Sequence, residues 1–304
     1  MLNDCMNAYL SLRRAAGFKL HTVEKYLQSY VNFATSQGDT HVVSKTVVDW
    51  ATKARSDDSR ARRLQELVRF ARFVRAEDPR HDIPPDHVFC IRRHRRTPYL
   101  LTDQEVVRLL REAGNLGPAD SLRPHTYRTI FGLLASTGLR ISEALGLCFN
   151  DLTPDGLVIR ETKFKKSRLA PLHGTVVEAL DSYLARRRRC ASADPHIFVS
   201  HRGGGRLHYD IVATTFQEVL AAAGIPDQVS RSAPRLHDLR HRFAVKALQT
   251  CPDTRDRITR HMLALSTYLG HARMESTYWY LESTPPLMTD IADACEAFLT
   301  GDPS

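Results

Sequence analysis

Between residues 82 and 99 the chain stops reading as packed structure. Ile83-Pro84-Pro85 is followed by the run Arg92-Arg93-His94-Arg95-Arg96 and then by Pro98, material that neither a helix interior nor a paired strand accepts. The break divides 304 residues into two stretches, each of which must bury a core of its own. Upstream, apolar residues recur at spacings of three and four, and the periodicity predicts helices over 2–16, 22–36, 44–53 and 59–75. Val23, Tyr26, Leu27, Tyr30, Val31 and Phe33 form one stripe, and Leu64, Leu67, Val68, Phe70, Ala71 and Val74 another. The last of these segments also carries Arg60, Arg62, Arg63, Arg69, Arg72 and Arg75, which predicts a basic solvent side able to lie along a phosphate backbone.

Downstream the texture is mixed. Thr102 and Glu105 have the spacing of a capping box and open a helix over 103–112, with further helices expected over 124–137 and 141–147. Residues 157–161 and 168–172 are the good strand material, and they flank a polar stretch with Lys163, Lys165 and Lys166 at its tip, which reads as a hairpin. Helical patterns return over 175–189, 210–223, 237–249, 256–265 and 286–299. The expected fold class is mainly α with a small antiparallel β-sheet, the sheet lying within the second stretch.

Charge narrows the partner. Lys and Arg number 43 against 34 Asp and Glu, a formal +9, and only eight of the basic residues are lysine. The planar fork of arginine matches phosphate oxygens two at a time, so a polyanion is the natural partner. Residues 1–97 carry +7 of this excess and residues 98–304 only +2. Six scattered cysteines without a C-x-x-C pair argue against a disulfide framework and a thiolate zinc site. No run approaches the roughly 18 to 20 apolar residues of a membrane span, and the first thirty residues lack a signal pattern, so a cytoplasmic protein is expected.

Four separated segments hold polar residues that a core would not choose. STGLRISEAL (136–145) breaks at a glycine and restarts a helix at Arg140, with Glu143 one turn on. TKFKKSRLAPL (162–172) presents Lys163. LHDLRHRFA (236–244) places His237 and Arg240 on one helical face. LGHARMESTYWYL (269–281) carries His271 and, nine residues later, Tyr280. In this order and spacing the four resemble the boxes of the tyrosine recombinases, the phage-integrase family, and HIFVSHRGGGRLHYD (196–210) resembles that family's connector.

The resemblance implies a helical, SAM-like core-binding domain that binds DNA at 1–92, a basic linker at 93–98, an α+β catalytic domain at 99–285, and a C-terminal helix and tail at 286–304. It further implies a metal- and ATP-independent reaction, with no cofactor. Tyr280 would attack a phosphodiester to form a 3′-phosphotyrosyl link, while Arg140, Arg240 and His271 stabilise the charge on the non-bridging oxygens. Lys163 would protonate the departing 5′ oxygen, His237 would handle the tyrosine proton, and Glu143 would support the site. Tyr278 competes as nucleophile, but residues two apart on a helix point about 200° apart, and the family interval from the histidine selects Tyr280.

Other readings of the same residues point elsewhere. His237 and His241 are spaced like a zinc pair but lack the following glutamate and a third ligand, which disfavours a metal site, and Gly203-Gly204-Gly205 lacks the ending of a phosphate loop. The partner is expected to be double-stranded DNA with paired half-sites, bound by a homotetramer or a hetero-assembly with sister recombinases, and exchanged through a Holliday junction. Without an arm-binding domain, a Xer-like or transposon-type enzyme of a mobile element is expected. Type IB topoisomerase action and a non-catalytic DNA-binding relative are the alternatives. Residues 282–304 contain five acidic residues and no Lys or Arg, which suits docking on a basic protein surface, and 286–299 would then pack on a neighbouring protomer or in cis.

Overall fold

The computed structural model describes residues 1–89, 97–160, 167–190, 192–225, 233–250 and 255–270, together with Thr277 and Tyr280. The chain separates into two compact units, Met1–Arg96 and Thr97–Ser304. The arginine run at 92–96 and the segment 286–304 lie outside the described residues.

The first unit is four helices, α1 (Leu2–Ala15), α2 (His21–Ser36), α3 (Ser44–Thr52) and α4 (Asp57–Glu77). The stripe read on α4 is its spine, since Leu64, Leu67, Val68, Phe70, Ala71 and Val74 are all buried in one cluster with Leu27, Tyr30 and Val31 of α2 and Trp50 of α3. A fully buried side chain of this size is worth about 1.5–3 kcal/mol, so the stripe holds the unit together. α4 begins earlier than its periodicity predicts. Ser56, not Ser59, is the cap, accepting from the Ser59 amide at 3.3 Å, and Asp57 and Asp58 then face the positive end of the helix.

The arginines of α4 are less available than the sequence suggests. Arg60 pairs with Asp57 and donates to the carbonyls of Thr52 and Ala54, and Arg63 stacks over the Trp50 ring. Arg69 pairs with Glu66, Arg72 with Asp86, and Arg75 donates to the His81 carbonyl. These surface pairs are individually weak, so phosphate can compete for Arg69 and Arg72, but Arg60, Arg63 and Arg75 are tied to backbone or ring.

In the second unit α5 (Asp103–Gly114) opens on the expected capping box, with the Glu105 amide donating to Thr102 Oγ1 at 3.2 Å and the Thr102 amide to Glu105 Oε2 at 2.7 Å. α6 (Leu122–Thr137) buries residues on every side, including Tyr127, Ile130, Phe131, Leu133 and Leu134, and is therefore the central helix. After the single turn α7 (Ile141–Ala144), strands β1 (Leu152–Thr153), β2 (Gly156–Ile159) and β3 (Arg168–Ala170) form an antiparallel sheet in that order, with Leu157 opposite Ala170 and Ile159 opposite Arg168. β2 and β3 pair antiparallel as the expected hairpin requires, and its lysine-bearing tip, 161–166, lies outside the described residues. β1 was not legible, because two residues cannot show alternation. α8 (Gly174–Arg187) and α9 (Tyr209–Ala222) close the main core.

α10 (Leu236–Gln249) and α11 (Arg255–Leu269) build a smaller core from Ala244, Val245, Leu248, Met262, Leu265 and Leu269, and Tyr280 is part of it. α11 continues four residues beyond the expected end and delivers Leu269 to the site described next. No described helix is long and apolar enough to cross a membrane.

Candidate active site

Two left-handed glycines shape the site. Gly138 ends α6 at φ +60°, and a Cβ there would stand 2.5 Å from Phe243 Cδ1 and 3.0 Å from Leu269 Cδ2. Gly270 ends α11 at φ +66°, and its Cβ would stand 2.8 Å from Arg168 Nη1. Each position needs both the conformation and the absence of a side chain. The turns aim the ends of α6 and α11 at α10, and the carbonyls left over there are met by arginines.

Arg240 takes two of them. Its Nη1 donates to the Gly138 carbonyl at 2.6 Å and its Nη2 to the Leu269 carbonyl at 2.7 Å, with the residue only 2% exposed. Tyr280 lies within its electrostatic reach. Burial, and after it the charge of Arg140, pushes the guanidinium down to about 10, so it stays cationic at neutral pH. Tyr280 is 3% exposed and sets its ring edge-on to His241, with centroids 5.4 Å apart.

Arg140 sits where α7 begins. Its amide donates to Glu143 Oε2 at 3.0 Å, its Nη1 to Glu143 Oε1 at 2.7 Å and its Nη2 to the Gly270 carbonyl at 3.1 Å. Its side chain remains 30% exposed, so part of its fork still faces outward. The Glu143 side chain is 7% exposed, and although burial raises its carboxyl, hydrogen bonds and charge from Arg168 and Arg140 win and hold it at about 2.

His237 and Arg240 share a face of α10, as their spacing predicts. His237 is exposed, yet packing around the ring and the charge of Arg240 push its imidazole down to about 4. It is neutral at pH 7 and able to accept a proton. His241 packs edge-on against it with centroids 4.5 Å apart. Asp238, 1% exposed, accepts from the Arg235 amide at 2.7 Å and so fixes the first turn of α10 that carries both residues.

The structure thus gathers Arg140, Glu143, Arg240 and Tyr280, with His237 beside Arg240 on the same helix. Lys163 and His271 lie outside the described residues. Arg168, Asp238 and His241 were missed: each is an ordinary polar residue of a strand or helix until its tertiary partner is known. Among the described residues, no group of three or more His, Cys, Asp or Glu side chains is arranged to hold a metal ion.

Residues 99–285 match the family model described as the phage integrase family. The chain is 37% identical over 297 residues to an integrase/recombinase of Sinorhizobium fredii named y4rB, covering 94% of both chains. It is also 37% identical over 191 residues to the tyrosine recombinase XerD of Mycobacterium tuberculosis, covering 61% of this chain and 57% of that one. Among solved structures, the post-cleavage complex of the XerH site-specific recombinase with a palindromic difH substrate is similar at a TM-score of 0.65 and 17% identity, over 91% of this chain and 80% of that one.

Proposed function

The chain belongs to the phage integrase family, the tyrosine recombinases, and from that membership we propose that it is a site-specific recombinase that cleaves and rejoins duplex DNA through Tyr280. The observation that carries the proposal is the buried Tyr280 within the electrostatic reach of Arg240, whose guanidinium is held by the Gly138 and Leu269 carbonyls and feels the charge of Arg140. A nucleophile and a pair of phosphate-binding cations therefore occupy one place.

In the proposed reaction the Tyr280 oxygen forms a bond to the phosphorus and the bond from phosphorus to the 5′ oxygen breaks, leaving a 3′-phosphotyrosyl link and a free 5′-hydroxyl. Charge growing on the non-bridging oxygens is met by Arg140 and Arg240, with His271 as a further donor. His237, neutral at pH 7, accepts the tyrosine proton, and Lys163 gives one to the departing oxygen. The 5′-hydroxyl of a partner strand reverses the step. Exchange between two duplexes needs four cleaving protomers, acting in two steps through a Holliday junction. We assign DNA binding to residues 1–92, the linker to 93–98, catalysis to 99–285 and protomer docking to 286–304, in a cytoplasmic enzyme of a mobile element.

The test is a nicked suicide duplex carrying inverted half-sites, selected from a random duplex library by binding to the protein. A covalent protein–DNA adduct on a denaturing gel, retained in Tyr278→Phe and lost in Tyr280→Phe, supports the proposal. The reverse pattern would identify the wrong nucleophile. Binding without any adduct would leave a DNA-binding protein, and supercoil relaxation without strand exchange would point to topoisomerase action.

A further inference from the structure

Arg168 has no part in the chemistry above, yet it sits at the junction of its components. It opens β3 opposite Ile159, five residues after Lys163, and its side chain is 11% exposed. Resting on the reading of the site as strand-cleaving, we propose that Arg168 is a positioning residue that holds the Arg140 guanidinium ready for the scissile phosphate by acting through Glu143.

The geometry supplies the first argument. Arg168 Nη2 donates to Glu143 Oε2 at 2.8 Å and Nη1 to Oε1 at 3.1 Å, so the fork engages both carboxylate oxygens. The Glu143 carboxylate is then fixed in plane and in rotation, and the same two oxygens receive the amide and Nη1 of Arg140. The second anchor of Arg140 is the Gly270 carbonyl, and Arg168 fixes that as well. Its Nε donates to the Tyr268 carbonyl at 2.8 Å, and Gly270 lacks the Cβ that would strike Arg168 Nη1. Both supports of Arg140 therefore rest on this one guanidinium.

Charge supplies the second. A lone Arg140–Glu143 pair would be neutral and would offer little attraction to a phosphodiester. With Arg168 added, two cations share one carboxylate and the trio keeps a net positive charge beside Arg240. A pair serving only to pin β3 would need no third member at the phosphate-facing end of the site.

The experiment compares Arg168→Gln, Arg168→Lys, Glu143→Gln and the double variant Arg168→Gln/Glu143→Gln, using the same suicide duplex at saturating protein, with duplex affinity and thermal unfolding measured in parallel. Arg168→Gln is expected to slow single-turnover adduct formation on the order of 10- to 100-fold, the effect typical of a group that orients a binding residue from behind, while duplex affinity, set by many phosphate contacts, falls far less. The acid limb of its rate profile should move to higher pH, because burial then raises the Glu143 carboxyl against Arg140 and the more distant Arg240 alone. Arg168→Lys should recover part of the rate, keeping the charge but not the fork. The double variant should be no slower than Glu143→Gln, since the two act as one unit.

A wild-type rate in Arg168→Gln overturns the inference, as does a double variant whose loss is the product of the single losses. Failure of both Arg168 variants to fold would make the residue structural and overturn it too. If the wild-type protein forms no adduct, the proposed function falls and this inference with it, an outcome visible before any variant is made.

Discussion

Replacing Arg240 with methionine separates what this side chain does for the reaction from what it costs the fold. The cation is 2% exposed, and its pKa is pushed down to about 10, first through burial and then through the charge of Arg140. At 1.36 kcal/mol per unit that lowering means a charged guanidinium held at a cost of about 3 kcal/mol. The sign follows from linkage. Above pH 10, up to the ordinary range of a free guanidinium, the unfolded chain binds more protons, so stability rises with pH there, and below pH 10 the cost is present in full. Methionine removes it. Against that gain, the Gly138 and Leu269 carbonyls lose their donors, at about 1–3 kcal/mol each when left buried and unsatisfied. The two effects cancel to within about 3 kcal/mol, and at about 2–4 °C per kcal/mol for a unit of this size the thermal midpoint should move by less than about 12 °C. The reaction has no such compensation. Loss of one donor to a developing oxyanion lowers rates by about 10²–10³-fold, and the charge within reach of Tyr280 goes as well. Urea unfolding and single-turnover adduct formation measure the two sides. A variant that loses more than about 4 kcal/mol yet cleaves within about tenfold of wild type would refute the reasoning, showing Arg240 to be a structural strut.

Gly138→Ala places a side chain in the left-handed region and against Phe243, so it should destabilise the second unit by at least about 1–2 kcal/mol in urea unfolding. His237, held at about 4 in the protein without DNA, makes stability rise with pH between about 4 and 6.5, since the unfolded chain binds the extra proton there, and His237→Gln should flatten that part of the profile in thermal melts. A proton titration followed by NMR should show the same imidazole shifting upward when a duplex supplies phosphate nearby. In the first unit the Val42 amide donates to His81 Nδ1 at 2.9 Å, so His81→Ala should cost about 1–3 kcal/mol by leaving that amide buried without an acceptor, measured by chemical unfolding.

What was legible in the sequence were the features written into local pattern. The α4 stripe and the Thr102–Glu105 box stand as expected, because each depends on residues a few positions apart. Arg140, His237, Arg240 and Tyr280 were singled out by another route, as boxes whose order resembles that of the tyrosine recombinases. Arg168 was not. Opposite Ile159 at the start of a strand it reads as a solvent residue, and only the arrival of Glu143 from 25 positions upstream reveals its partner. Arg187 makes the same point within the run Arg186 to Arg189, where it alone turns inward, 2% exposed, to donate to the carbonyls of Asp194 and His196. Sequence counts charges; it does not say which of them the fold surrounds.

The depressed values of Arg240 and His237 have related causes. Burial comes first for both, and in each a neighbouring guanidinium comes second, Arg140 for Arg240 and Arg240 for His237. In this site Arg140 and Arg168 share the carboxylate of Glu143 while Arg240 is held by backbone carbonyls beside them, and the protein accepts the resulting repulsion among the three arginines. Such an arrangement is poor for stability and well suited to an incoming anion. A phosphodiester entering here would bring the missing negative charge, relieve the repulsion on Arg240 and raise the proton affinity of His237 as the tyrosine gives up its proton. Ground-state discomfort and transition-state stabilisation are then two sides of one charge imbalance, which the backbone carbonyls of Gly138, Leu269 and Gly270 hold in place without cancelling it.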